Sequence, residues 1–298
     1  MNRPHGNLFA EPAAWRRICT TAACTGCGPA GRRRRGMHIE TDGLVIREQP
    51  VGENDRLVTL LTRKAGIVRG FAKGIKTVRN SKSSGTSLLS YSQFSLYQGR
   101  SRMIIDNARP KEMFFGLRED IGRLALAQYF CELAGALAPE GQPAEDCLRL
   151  LLNGLYFLSK GQRHPLLLKT AVEMRMLSFA GYMPDLLYCQ GCGCYEADTM
   201  FFLPDSGTLL CSACGGQKRG IPLNRGMLTA LRHTVYADFD KLFSFRLPPQ
   251  GLAQINRASE RYLLHTLQRT FPTLEFYRQV ADTEGKSQEL FQEKTNIK

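Results

Sequence analysis

Three observations predict a multidomain α+β chain. Short β-branched and aromatic runs crowd the segment after Met37, the apolar period turns helical near Phe114, and four later cysteines form two Cys-x-x-Cys pairs. The matching architecture is an N-terminal five-stranded β-barrel followed by an α-helical domain, with a four-cysteine zinc ribbon inserted into the helical part. At 298 residues and 43% hydrophobic content, the chain can bury the cores of two or three such units.

The barrel is expected over residues 37–113. Residues 43–47, 56–62, 67–73, 93–98 and 102–108 read as strands, each bounded by turn residues. Five strands in so short a span point to a small closed barrel, of which the OB-fold is the common nucleic-acid-binding example. Between the third and fourth runs, residues 74–87 are basic, polar and rich in Gly and Ser, as a mobile loop would be.

From Phe114 the apolar residues Ile121, Leu124, Leu126, Tyr129, Phe130, Leu133 and Leu137 recur at helical spacing. Further helices are expected at 143–159, 166–180, 223–239 and 252–270, with breaks at 139–141 and 161–165. The helical domain therefore spans 114–187 and 219–280, the ribbon 188–218, and a polar tail 281–298.

In the ribbon, Cys189 and Cys192 form one pair, Cys211 and Cys214 the other, and eighteen residues separate them. That is the spacing of a tetrahedral thiolate site, in which one turn sets two sulfurs on a metal and the returning chain supplies two more. Four ligands leave no open position, so the expected cofactor is one structural Zn2+. Between the pairs, residues 200–203 and 208–210 are placed to form a hairpin across Pro204-Asp205-Ser206-Gly207. A redox dithiol, a disulfide or an iron–sulfur cluster are the other uses of such cysteines. Cys194, two residues past Cys192, competes with it as a ligand.

Residues 1–36 carry seven Arg and one Glu, follow no hydrophobic period, and read as a disordered extension; the expected true start is Met37. Cys24 and Cys27 within it have no second pair nearby and are not assigned a metal. No apolar run is long enough for a bilayer and no signal-type apolar core is present, so a cytoplasmic protein without membrane contact is expected.

Charge is uneven. Residues 37–115 hold thirteen Lys and Arg against seven Asp and Glu, whereas residues 116–298 are nearly neutral, with twenty against nineteen. A polyanion is therefore expected at the barrel. Lys73, Lys76, Arg79 and Lys82 recur every three residues, with Arg63, Lys64 and Arg69 upstream. These seven are the candidate phosphate contacts, with a solvated basic face as the alternative. Phe71, Tyr91, Phe94 and Tyr97 are candidate stacking rings, but strand alternation puts at most one set outward and most belong to the core.

Tests for an enzyme fail. No phosphate-binding loop, dinucleotide fingerprint or nucleophile elbow occurs, and His164, His233 and His265 are isolated. The chain is expected not to be an enzyme. Glu173 and Arg175 sit in an apolar helical run and read either as a buried pair or cap, or as part of a partner-binding surface with Leu166, Leu167, Leu168, Lys169 and Met174.

The ordered segments resemble one family, the bacterial DNA repair protein RecO. The resemblance covers most of residues 37–277. It rests on Glu53-Asn54-Asp55-Arg56-Leu57 and the strand after it, residues 66–74, Phe94-Ser95-Leu96-Tyr97-Gln98-Gly99-Arg100, Pro139-Glu140-Gly141-Gln142-Pro143, and Glu173-Met174-Arg175-Met176-Leu177. The most specific run is Gly181-Tyr182-Met183-Pro184-Asp185-Leu186 leading into Cys189-Gln190-Gly191-Cys192-Gly193. The resemblance implies a recombination mediator of the RecF pathway at the nucleoid. Such a protein binds single- and double-stranded DNA, anneals strands, binds the acidic tail of single-stranded DNA-binding protein, and works with RecR to load RecA. The alternative from another class is a zinc-ribbon RNA-binding or transcription-associated factor.

Overall fold

The structure is a computed structural model and describes residues 38–75, 82–99, 102–215, 217 and 220–283. The expectations for residues 1–36, for Met37 as a start, and for Lys76 and Arg79 lie outside the described residues.

All five expected strands are present, and all but the third are longer than their sequence signals: β1 His38–Val51, β2 Asp55–Thr62, β3 Gly66–Ala72, β4 Tyr91–Gln98 and β5 Met103–Glu112. They close in the order β1-β2-β3-β5-β4, every pairing antiparallel except β3 with β5. Period-two alternation drives the closure, because Val45, Val58, Leu60, Ala72, Phe94, Leu96, Ile105 and Ala108 all point inward and are buried. Tyr91 and Phe94 are fully enclosed, which settles two of the four candidate rings as core. A single helical turn, Lys82–Gly85, joins β3 to β4 and packs against β5 at Ala108. Val45 pairs with Leu60 and Arg47 with Thr59, leaving Ile46 as a bulge residue, buried beside Gly135 of the helical body.

The β2–β3 turn fastens the barrel to that body. Ile67 N–H donates to the Pro139 carbonyl, Gly141 N–H to Ala65 and Ala144 N–H to Arg63, each at 2.9–3.0 Å. Gly66, at φ +62°, passes so close to the Pro139 carbonyl that no side chain fits there.

The helical body comprises α1 Ile121–Leu137, α2 Glu145–Ser159, α3 Pro165–Phe179, α4 Arg225–Tyr236 and α5 Pro249–Leu267, and residues 272–283 are also helical. Asp120 caps α1 by accepting from Arg123 N–H at 2.7 Å, and His164 caps α3 ahead of Pro165. None of these helices is long and apolar enough to cross a membrane.

Helix α3 lies at the centre, with every residue from 167 to 177 buried. The reading of Leu167, Leu168, Lys169 and Met174 as an exposed partner surface is therefore wrong: all four are at most 4% exposed. A helix apolar on all sides belongs inside, and its few polar groups must pair there. Glu173 accepts from Lys169 at 2.7 Å, from the Tyr129 hydroxyl at 2.8 Å and from Ser259 at 2.6 Å. Lys169 also meets Glu260 at 2.6 Å, and Arg175 donates to the carbonyls of Thr234 and Ala237. Burial and the Glu173 carboxylate push the Tyr129 hydroxyl well above its ordinary range, so it remains a donor.

The ribbon sheet has one more strand than the sequence indicates. β6 Thr199–Leu203 and β7 Thr208–Cys211 form the expected hairpin, but Ile221–Asn224, β8, pairs along the other edge of β6. The sheet thus extends past residue 218, and the helix expected from 223 begins at Arg225. Ile221 and Leu223 are buried while Pro222 and Asn224 are exposed, a strand alternation too short to see among helices. Asn224 then caps α4 by accepting from Met227 N–H at 2.9 Å.

Candidate metal centre and nucleic-acid interface

Two matching knuckles form the cysteine cluster. In the first, Gly193 N–H donates to the Cys189 carbonyl and Cys189 N–H to the Cys194 carbonyl; in the second, Ser212–Cys214 is a 3-10 turn closed by Gly215 N–H on Ser212. The sulfurs of Cys189, Cys192, Cys211 and Cys214 all lie within 4.8 Å of one another. Cys192 and Cys211 Sγ are 3.7 Å apart, against about 3.8 Å for the edge of a tetrahedron with 2.3 Å arms. Gly191 permits the approach, since a Cβ there would stand 2.7 Å from Cys214 Sγ.

The thiols share protons unevenly. Burial works to raise Cys189, but N–H groups of Cys211, Cys192 and Gly191 aimed at its sulfur outweigh this and bring it to about 6. Cys214, hydrogen-bonded to the sulfurs of Cys211, Cys192 and Cys189, is pushed up to about 12. Four sulfurs this close ionise together only with a cation among them, so the donor set and spacing fit a thiolate-bound metal ion. Cys194, pushed up to about 12 chiefly by its hydrogen bond to Cys192, stands beside the cluster, and its sulfur is not among the four that gather.

Arg232 is a residue the sequence reading missed. From α4 it donates to the carbonyls of Leu186, Leu187 and Tyr195 at 2.7–2.8 Å and lies 4.0 Å over the Tyr195 ring, clamping the first knuckle to the helical body. Nothing in its local sequence, an Arg within a helical period, marks it.

The predicted phosphate contacts divide. Lys64, Arg69 and Lys73 are exposed on the β2–β3 turn, on β3 and just after it, and Lys82 is half-buried on the single helical turn. Arg63 stands apart, in the seam, with Asp42 at 3.8 Å and Glu145 at 3.7 Å. Register adds two cations. Arg47 pairs with Thr59, and Thr59 with Arg69, placing both arginines on one outer row. Arg102, before β5, stands 4.9 Å over the Phe71 ring. Phe71 and Tyr97 are half-buried, unlike Tyr91 and Phe94. Two of the histidines serve the fold: besides His164, His233 Nε2 bonds the Lys241 carbonyl at 2.7 Å.

Comparison with known proteins assigns most of the chain. Residues 37–114 match the family "Recombination protein O N terminal" and residues 118–275 "Recombination protein O C terminal". Curated relatives include the DNA repair protein RecO of Acetivibrio thermocellus, 33% identical over 81% of this chain and 96% of its own length. That of Symbiobacterium thermophilum is 35% identical over 79% and 94%, and that of Alkaliphilus metalliredigens 28% identical over 82% and 100%.

Proposed function

Because this chain belongs to the recombination protein O family, we propose that it is a non-enzymatic mediator of recombinational DNA repair in the cytoplasm, at the nucleoid. It binds single- and double-stranded DNA, anneals complementary strands and helps load RecA onto strands coated by single-stranded DNA-binding protein. The observation that carries the reading is the closed barrel with Arg47, Arg69, Lys73 and Arg102 on its outer side, in a chain matched by both halves of a family whose relatives are named DNA repair proteins.

The mechanism needs no bond-making group. Two DNA strands repel through their phosphates, and cations on the barrel displace the condensed counterions and lower that repulsion, whatever the base sequence. The helical body serves as the attachment point for RecR and for the acidic tail of single-stranded DNA-binding protein, so coated strands meet the barrel at high local concentration. The cysteine cluster holds one Zn2+ as a closed structural cross-link through Cys189, Cys192, Cys211 and Cys214.

The test is annealing of two complementary oligonucleotides precoated with the cognate single-stranded DNA-binding protein, measured at graded salt. The expected result is acceleration at modest salt that fades as salt rises. A folded protein that leaves the annealing rate unchanged, and that prefers RNA, would replace this reading with an RNA-binding one.

A further inference from the structure

The barrel's outer surface carries a second feature beside its cations, and it follows from register. His38 pairs with Tyr97, Tyr97 with Ile104, Ile104 with Phe71, and Phe71 with Leu57. Their neighbours Ile39, Leu96, Ile105, Ala72 and Val58 belong to the barrel core or pack against it, so this row occupies the opposite face of the same strands. One band of apolar and aromatic side chains therefore crosses five adjacent strands on the outside. Apart from the exposed His38 its members are half-buried, whereas outer positions beside them carry polar or charged side chains such as Thr59, Ser95 and Arg69. Its inner portion, Tyr97 to Leu57, covers three strand spacings, about 14 Å.

A cationic row runs alongside. Thr59 lies two residues from Leu57 on β2 and Arg69 two from Phe71 on β3, and Arg47 of β1 pairs with Thr59, so both arginines stand one row over from that end of the band. Arg102, two residues before Ile104 on the chain, leans over Phe71 at 4.9 Å. His38 and Tyr97 rings lie 5.1 Å apart. Rings and aliphatic groups on one line with arginines on the next are complementary to one ligand chemistry, a strand whose bases are unpaired: the bases lie on the rings and the phosphates meet the guanidinium groups. A duplex has the same phosphates but keeps its base faces stacked inside, so it engages the cations without the rings.

We propose that this row is a subsite for unpaired nucleobases, with Phe71 and Tyr97 as stacking platforms. Arg102 occupies the Phe71 ring in the free protein and exchanges that exposed cation–π contact for base and phosphate when a strand arrives. The subsite rests on the reading that the barrel binds DNA and adds to it a division of labour, with arginines and lysines serving both DNA forms and the rings serving only single strands.

The test compares an oligothymidylate with a duplex of equal length and salt on the full chain. Phe71→Ala and Tyr97→Ala should each weaken oligothymidylate binding about 5- to 150-fold and leave duplex affinity within about twofold, while Tyr97→Phe keeps single-strand affinity. Phe71→Trp, placed in a Trp15→Phe background so that it is the sole indole, should be quenched by oligothymidylate and little by duplex; this readout holds even where an alanine variant folds poorly. Equal losses on both DNA forms, or no quench at a saturating single strand, would overturn the subsite and leave the DNA-binding reading standing. A folded wild-type chain that binds neither DNA form would overturn both.

Discussion

Replacing Glu173 by Ala probes the centre of the helical body. The carboxylate has no solvent exposure and accepts from Lys169, Tyr129 and Ser259. Ser259 has a second acceptor in the Asn256 carbonyl at 3.0 Å, and Lys169 keeps Glu260 at 2.6 Å. The Tyr129 hydroxyl is left in an apolar interior, a cost of about 1–3 kcal/mol. Breaking a buried ion pair from one side costs about 3–5 kcal/mol, and the stranded hydroxyl places Glu173→Ala toward the top of that range. That is a large part of the ~5–15 kcal/mol typical of a folded protein. The double variant Lys169→Met with Glu173→Leu removes both charges, and Glu260 still meets Arg278 at 2.5 Å. Because the Tyr129 hydroxyl stays stranded, the double variant should lose about 1–3 kcal/mol, well short of the sum of the single losses. The assay is urea unfolding followed by far-ultraviolet circular dichroism. A Glu173→Ala loss under about 1 kcal/mol, or a double variant as unstable as the two singles summed, would refute the buried network and return α3 to consideration as a surface.

Other perturbations reach the remaining parts. Cys189→Ser with Cys211→Ser should take bound zinc from one ion per chain to none by atomic emission and lower the melting temperature of the ribbon, because metal-binding energy there is folding energy; a stable, metal-free and active variant would contradict this. Gly66→Ala should loosen the barrel from the helical body, since a Cβ there strikes the Pro139 carbonyl and the site needs φ +62°, and limited proteolysis should cut the β2–β3 turn faster than in the wild type. Replacing Lys73, Lys76, Arg79 and Lys82 together should weaken binding to every DNA sequence and flatten the logarithmic salt slope by up to about 3.6; an unchanged slope would remove these four residues from the interface. Burial works to raise the Glu260 carboxyl, but Lys169 and Arg278 outweigh it and hold the group below its ordinary range. Its contribution is therefore complete above the unfolded carboxylate pKa and lost as pH falls through the lower folded value. Glu260→Gln should flatten that acid limb in pH-dependent melting.

Much of the site was legible because its signals are local. Cys189, Cys192, Cys211 and Cys214 announce their shared cluster through gaps that a single turn can span, and each barrel strand shows its own alternation. The third ribbon strand was hidden because four residues, Ile221–Asn224, are too few to establish a period before α4 begins. Arg232 was hidden for a different reason: its three carbonyl partners lie 37 to 46 positions away in the chain.

By itself the sequence determined the order of barrel, helices and cysteine knuckles, the family, and the concentration of positive charge in the first part of the chain. Periodicity, ligand spacing and composition are properties of neighbouring residues, and they survive without coordinates. Only the tertiary structure decided which rings are core and which lie outside, since Phe71 and Tyr97 become one row with Ile104 through strand register alone. It also decided that Lys169 and Glu173 are interior and that Arg63 belongs to a seam. Burial and pairing of a charge depend on what distant segments bring to it, and a one-dimensional pattern does not contain those distances.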